Sequence, residues 1–364
     1  MISFTPNDEQ HLIIETVRRY ATERVRPAAH DADEEAKTPA EIIETGWELG
    51  LLPSAIPEQY GGFGDEHSAL TAALAAEELG YGDLAMALYL LTPHLFGIPL
   101  LHCGTAEQKQ CWLPKLTDAA FVPATAALIE PRWDFDPHAL RTTAEREQNG
   151  YLINGHKAYV PLAAEAQAML VYAREGGATQ AFIVEKGASG LTIVEREQHM
   201  GVRALPTYEV KLDDVRVPRD ARLGGNHGCN TDLLLSYSRV ALASLAVGVA
   251  RGAYEYARDY AKQREAFGRP IAQYQAIAFM LAEMAIEVDA ARLMAWEAAW
   301  TLDQGKNATG AAALAKQYAD EAVLFVTDRA VQVLGGHGYI REHPVERWLR
   351  NGRGFSAFLG LAMI

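Results

Sequence analysis

The sequence predicts an α+β fold in three parts: an all-α N-terminal unit (residues 1–120), a small antiparallel β unit or barrel (121–225) and a C-terminal four-helix bundle (226–364). Three observations predict it. Apolar residues recur at helical spacing through the first third. The middle third changes to short β-rich runs bounded by Gly, Pro and Asp, the pattern of an antiparallel sheet rather than of βαβ units. From Thr231 the helical period returns and holds. With 364 residues, 49% of them apolar, the chain is long enough for two or three units with large cores.

In the first unit, Asn7 or Thr5 is placed to cap a helix carrying Leu12, Ile13, Val17 and Tyr20. Further helices fit Pro39 to Leu49, Ser68 to Leu79 and Thr105 to Leu116, with Gly61-Gly62-Phe63-Gly64 as a loop. In the β unit, Asn149-Gly150 and Asn154-Gly155 read as tight turns flanking Tyr151-Leu152-Ile153. Strands are expected at Met169 to Tyr172, Ala181 to Val184, Leu191 to Val194 and Tyr208 to Val217. The bundle is expected to hold long helices over Thr231 to Phe267, Gln273 to Gln304 and Gly310 to Leu334. The last is closed by Gly335-Gly336, and a final helix starts at His343-Pro344 with proline at its first position.

The net charge of −14 argues against a nucleic-acid surface, which needs Lys and Arg to neutralise phosphates. Three cysteines (Cys103, Cys111, Cys229) lie in no metal-ligand spacing, so a reducing, cytoplasmic setting with buried thiols is expected, with no metal. Residues 1–10 lack a basic segment followed by an apolar run, and the longest apolar stretch, Val240 to Ala250, is too short to span a bilayer. There is no Walker loop, G-x-S-x-G, H-E-x-x-H or Cys-x-x-Cys.

Several segments nonetheless carry a recognisable order. They are Pro57 to Gly64, Gly104 to Lys109, Asn154 to Lys157, Met200 to Arg203 and Asp214 to Pro218. Arg264 to Gly268, Gln332 to Tyr339 and Pro344 to Arg347 complete the series. In this order and spacing the chain resembles the acyl-CoA dehydrogenase family along nearly its whole length. The resemblance implies FAD as cofactor, an acyl-CoA substrate and an electron-transferring flavoprotein as electron acceptor. It also implies a homodimer or homotetramer with each FAD at a subunit interface. The neighbouring subunit would hold the pyrophosphate and adenosine end through Arg264, Phe267, Gln275, Gln332, Gly335 and Gly336. The chemistry suits that role, since a guanidinium offers paired donors to phosphate oxygens and glycines let backbone approach closely.

The sequence departs from the family where the chemistry happens. The customary carboxylate that takes the α-proton aligns with Leu359, between Phe358 and Gly360, and leucine cannot accept a proton. An alternative base position in the family, one residue before a conserved-type arginine matched by Arg239, holds Ser238. At the flavin, Ile129, Tyr159 and Pro161 stand where the resemblance implies hydroxyl-bearing or aromatic contacts; each lost donor costs about 1 kcal/mol. The resemblance still assigns Arg239, Phe358 and the backbone N–H of Leu359 to substrate. Two functions follow. One is an acyl-CoA dehydrogenase with an unrecognised base, for which Glu130, Asp134 and Asp136 are candidates. The other is a non-catalytic subunit completing the FAD site of an active paralogue in a hetero-oligomer.

Overall fold

The computed structural model describes residues 5–64 and 67–364, so positions 1–4 of the N-terminal segment read above lie outside the described residues. The chain is helical to Thr117, forms strands between Thr125 and Pro218, and is helical again from Thr231 apart from one two-stranded hairpin.

The N-terminal helices are α1 (Asp8–Tyr20), α2 (Arg26–Glu35), α3 (Ala40–Trp47), α4 (Ala69–Gly82), α5 (Leu84–Leu91), α6 (His94–Cys103) and α7 (Ala106–Trp112). Asn7, not Thr5, caps α1: its Oδ1 accepts the Gln10 N–H at 2.8 Å, and Gln10 Oε1 accepts the Asn7 N–H at 3.0 Å. Helices α5 and α6 were not foreseen, because they are buried on almost every face and so carry no apolar stripe. Asp83 separates α4 from α5, its carboxylate accepting the N–H groups of Ala85 and Met86.

The β unit comprises β1 (Thr125–Ala127), β2 (Thr143–Arg146), β3 (Gly150–Pro161), β4 (Ala168–Glu175), β5 (Ala178–Glu185), β6 (Leu191–Arg196) and β7 (Thr207–Pro218). They form one sheet in the order β1-β4-β2-β3-β7-β6, with β5 beside β4. It is mixed rather than purely antiparallel, since β1 and β2 both pair with β4 in parallel. Asn154-Gly155 is not a turn. It lies inside β3, where the register against β7 shifts between Ile153 and Gly155. Asn154 spans the bulge, accepting the Asp214 N–H at 2.8 Å and donating to its carboxylate at 3.0 Å. A side chain at Gly155 would stand 2.5 Å from Thr142, so the dipeptide serves a close approach instead of a reversal.

The bundle comprises α8 (Thr231–Gln263), α9 (Gln275–Asp303), α10 (Thr309–Leu334) and the short α11 (Val345–Arg353). Helix α8 stops at Gln263 rather than Phe267. The chain then turns through the hairpin β8 (Glu265–Ala266) and β9 (Arg269–Pro270), with Phe267 and Gly268 at φ 51° and 83° at its tip. Pro344 caps α11 from outside instead of opening it. Helix α8 is long and apolar enough to cross a membrane by composition alone, but 89% of its most apolar 18-residue window is buried inside the protein. Of the three thiols only Cys229 is buried; Cys111 is exposed, contrary to expectation.

Helices α4 and α8 touch backbone to backbone. A Cβ at Gly248 would lie 2.1 Å from the Glu77 carbonyl oxygen, and one at Gly80 would lie 2.5 Å from that of Leu245. At this crossing Arg251 reaches Glu77 at 2.9 Å and Glu78 at 2.6 Å. Glu78 also pairs with Arg18 of α1 and Glu77 with Arg292 of α9, so four helices share one ion network. Burial alone would raise the Glu78 carboxyl, but hydrogen bonds from Arg251 and Arg18 hold it below its ordinary 4.5.

Gly248→Ala forces the two helices apart and is expected to cost about 2 kcal/mol or more in denaturant unfolding. Because the folded-state value of Glu78 is depressed, its contribution is complete above pH about 4.5 and fades as pH falls through the lower folded value. Thermal midpoints measured from pH 7 to pH 3 should therefore drop below about 4.5. The drop should be smaller in Glu78→Gln, which starts from a lower midpoint.

Candidate functional site

The residue after one position that the resemblance gives to a base touches the other. Gly360 N–H donates to Ser238 Oγ at 3.1 Å, so the serine is occupied by the backbone next to Leu359. Gly360 adopts φ +82°, and a Cβ there would stand 2.7 Å from Leu128. The apolar pocket at this point, between Leu95, Leu128, Tyr172, Leu235, Ser238 and Met363, retains a cavity of about 10 Å³. That is about one water molecule. Residues Leu361–Ile364 are all buried, and Met363 lines the pocket.

The three acidic candidates are held by their own loop. Glu130 is 4% exposed and accepts the N–H groups of Thr142 at 2.7 Å and Arg141 at 2.9 Å. It also pairs with Arg132 at 3.1 Å and Lys157 at 3.4 Å. Burial opposes ionisation of Glu130, but Lys157 and the two backbone donors hold it below its usual value. Burial in turn pushes the Lys157 ammonium down to about 8. Asp134 pairs with Arg132 and Arg141, and Asp136 accepts the His138 N–H. Glu130 is therefore the staple of this loop and lacks the free lone pair that a base needs. At the loop's outer edge Trp133 is 98% exposed.

The residues assigned to the flavin lie on one wall. Ala158 N–H donates to the Ile129 carbonyl at 3.0 Å, which sets Ile129 beside the strand carrying Tyr159 and Pro161. Tyr159 has φ 53°, and its N–H donates to the Glu197 carboxylate at 3.1 Å. Ile129 and Pro161 supply apolar surface and no side-chain donor.

The residues that the resemblance assigns to the neighbouring subunit's FAD are brought together by topology. Helices α8 and α10 end, and α9 begins, at the same end of the bundle, because the connected helices run antiparallel. Arg264, Phe267, Gln275, Gln332, Gly335 and Gly336 therefore share that end, and all six are exposed. Phe267 is 98% exposed at the hairpin tip. Gly335 takes φ +59°, and a Cβ at Gly335 or Gly336 would meet nothing within 4 Å, so backbone there is open to a ligand. One guanidinium, two carboxamides and an open glycine turn fit a pyrophosphate-bearing cofactor.

On the other side of α8 lies a cavity of about 750 Å³, bordered by His67, His102, Asp232, Ser236, Tyr237 and Lys306. His67 Nδ1 and His102 Nε2 lie 3.0 Å apart, and Tyr237 stacks on His102 at 4.5 Å. Burial lowers these imidazoles to about 3 and about 4, so both are neutral near pH 7. Sequence reading missed this cluster because its members come from three distant segments. Arg239 is half-buried and makes no hydrogen bond among the described residues, leaving its guanidinium available. Among the described residues no group of three or more His, Cys, Asp or Glu side chains is placed to hold a metal ion.

A helical unit, a β wall and a helix bundle with an open glycine turn match the architecture of flavin-dependent dehydrogenases. Family models agree along the chain: the acyl-CoA dehydrogenase N-terminal domain matches residues 7–120, the middle domain 125–215 and the C-terminal domain 230–362. The chain belongs to the acyl-CoA dehydrogenase family, whose members are oxidoreductases acting on CH–CH bonds with FAD as cofactor. It is 36% identical to the probable acyl-CoA dehydrogenase YngJ of Bacillus subtilis, covering 97% of this chain and 94% of that one. It is 34% identical to the caffeyl-CoA reductase–Etf complex subunit CarC of Acetobacterium woodii, covering 98% and 96%. Butyryl-CoA dehydrogenase from Megasphaera elsdenii superimposes with a TM-score of 0.90 at 30% identity, covering 100% and 96%.

Replacing Glu130 by Ala strands Lys157 in the interior and is expected to destabilise the protein by about 3–5 kcal/mol in urea unfolding. Asp136→Asn should leave stability within about 0.5 kcal/mol of the parent.

Proposed function

We propose that this chain is a subunit of an FAD-dependent acyl-CoA dehydrogenase that oxidises the Cα–Cβ bond of an acyl thioester, with a paralogous partner supplying the proton acceptor. In this hetero-oligomer the chain completes the partner's FAD site from across the interface. The observation that carries the reading is the tied pair at Gly360 and Ser238, with Leu359 between Phe358 and Gly360 and only about 10 Å³ beside it. Neither position has an ionisable side chain, whereas the trans set is intact and exposed.

Bound FAD supplies the hydride acceptor. The chain's own residues bind and orient: Arg264, Gln275, Gln332 and the Gly335–Gly336 backbone offer donors to the cofactor's phosphates. Arg239 and the Leu359 N–H, which does not depend on the side chain, serve a thioester substrate only in the self-sufficient reading considered below. Subunit pairing is supported by exposed Phe279, Ile286 and Leu293, which recur every seven residues along α9 and form an apolar seam. An electron-transferring flavoprotein is the proposed electron acceptor, supported by the Etf complex to which CarC belongs. The free thiols favour a cytoplasmic setting.

The alternative is a self-sufficient dehydrogenase in a homodimer or homotetramer, and an anaerobic visible spectrum separates the two. The FAD-loaded chain alone should keep its oxidised spectrum when a panel of acyl-CoAs is added. The assembly obtained by co-expression with a paralogous dehydrogenase should bleach. Bleaching by the chain alone would overturn the partnered reading and establish turnover in its own site. In the mixed assembly, Arg264→Ala should lower FAD affinity about tenfold, read by flavin fluorescence on dilution.

A further inference from the structure

Behind the Gly335–Gly336 turn lies a group of side chains that the reading above does not use. Tyr260 Oη and His337 Nδ1 lie 2.6 Å apart, and Tyr256 Oη and His343 Nδ1 lie 2.7 Å apart, one turn earlier on α8. The two imidazoles stack at 5.5 Å with 24° between their planes. His337 immediately follows Gly336. Tyr260 has a second attachment, because its carbonyl accepts the Arg264 N–H at 2.8 Å. One residue thus holds the backbone of the guanidinium-bearing segment and, through its hydroxyl, the segment bearing the glycine turn.

The glycine turn continues the end of α10, the Gly335 N–H donating to the Gln332 carbonyl, but no side chain of the turn itself anchors it. Both glycines are exposed with empty space around them, and Gly335 sits at φ +59° and ψ −129°, a conformation that no side chain of its own stabilises. Its position relative to Arg264 depends on neighbours that are anchored. On its far side Gly338 packs directly on α10, where a Cβ would lie 2.3 Å from the Val331 carbonyl oxygen. On the α8 side the Tyr260–His337 hydrogen bond ties it to the helix.

We propose that Tyr260 and His337 are positioning residues for the trans half of the FAD site, setting the distance between Arg264 and the Gly335–Gly336 backbone. The proposal rests on the reading of that turn as the partner's FAD-holding element. A ligand with two phosphates bridging a guanidinium and a backbone turn needs both at fixed separation, and binding is weakened when either must be ordered at the moment of association. Tyr256 and His343 provide an internal comparison. They form the same kind of hydrogen bond on the same helix, but His343 lies beyond the turn and meets it only through its stacking on His337.

The test uses the full chain in the assembly in which it retains FAD, with FAD itself as probe. Tyr260→Phe and His337→Gln should each weaken FAD binding about five- to tenfold, the size of one hydrogen bond lost from a preorganised site. Tyr256→Phe should change it less than about twofold. The thermal midpoints of the FAD-free Tyr260→Phe and Tyr256→Phe proteins should agree within about 2 °C, which separates positioning from general stability. Equal FAD affinity in parent and Tyr260→Phe would overturn the proposal. So would an equal loss in all three variants accompanied by lower midpoints. A parent assembly that binds no FAD under any pairing would overturn the functional reading along with it, a result distinguishable from an unaffected Tyr260→Phe.

Discussion

The crossing of α4 on α8 is the constraint on which the remaining structure depends. Gly80 and Gly248 let the two backbones meet, and at that contact Arg251 pairs with both Glu77 and Glu78. A guanidinium buried this deeply is tolerable only with its counter-charges in place, so the crossing is specific as well as close. Arg18 and Arg292 extend the same carboxylates to α1 and α9. The N-terminal helices are thereby locked to the bundle, and α8 can present Ser238 and Arg239 at one level and Tyr256 and Tyr260 near its far end. Both levels hang from this single long helix.

The division into helix, sheet and bundle was legible because hydrophobic period changes at the boundaries, from about 3.6 to 2 and back. What was missed has physical causes. Helices α5 and α6 carry apolar side chains on all faces, and a stripe detector finds nothing in a helix without a stripe. Asn154-Gly155 misled because the freedom that suits a hairpin turn also suits a bulge, and Asp214, sixty positions away, decides between them. The parallel pairings of β4 with β1 and β2 join segments whose partnership no local pattern encodes.

The site was legible unevenly. The exposed set at one end of the bundle comes from motifs that keep their residues, and helix topology collects them there. That leucine and serine stand at positions 359 and 238, where the resemblance implies a base, was plain from the sequence. The commitment of Glu130 was not, because its partners Lys157, Arg141 and Thr142 come from β3 and from the far side of its own loop. Nor was the closure of the pocket, which results from several apolar side chains meeting rather than from any one of them.

Under the partnered reading proposed above, that closure makes the absence of an acid a ratchet in sequence space. Where an empty, water-filled recess remains, a single codon change can return a carboxylate to a useful place. Here Leu128 fills the room beside Gly360, and Met363 and Leu95 line what is left. The room beside Gly360 is already taken by apolar side chains from several elements, so reopening it for an acyl chain requires several coordinated substitutions.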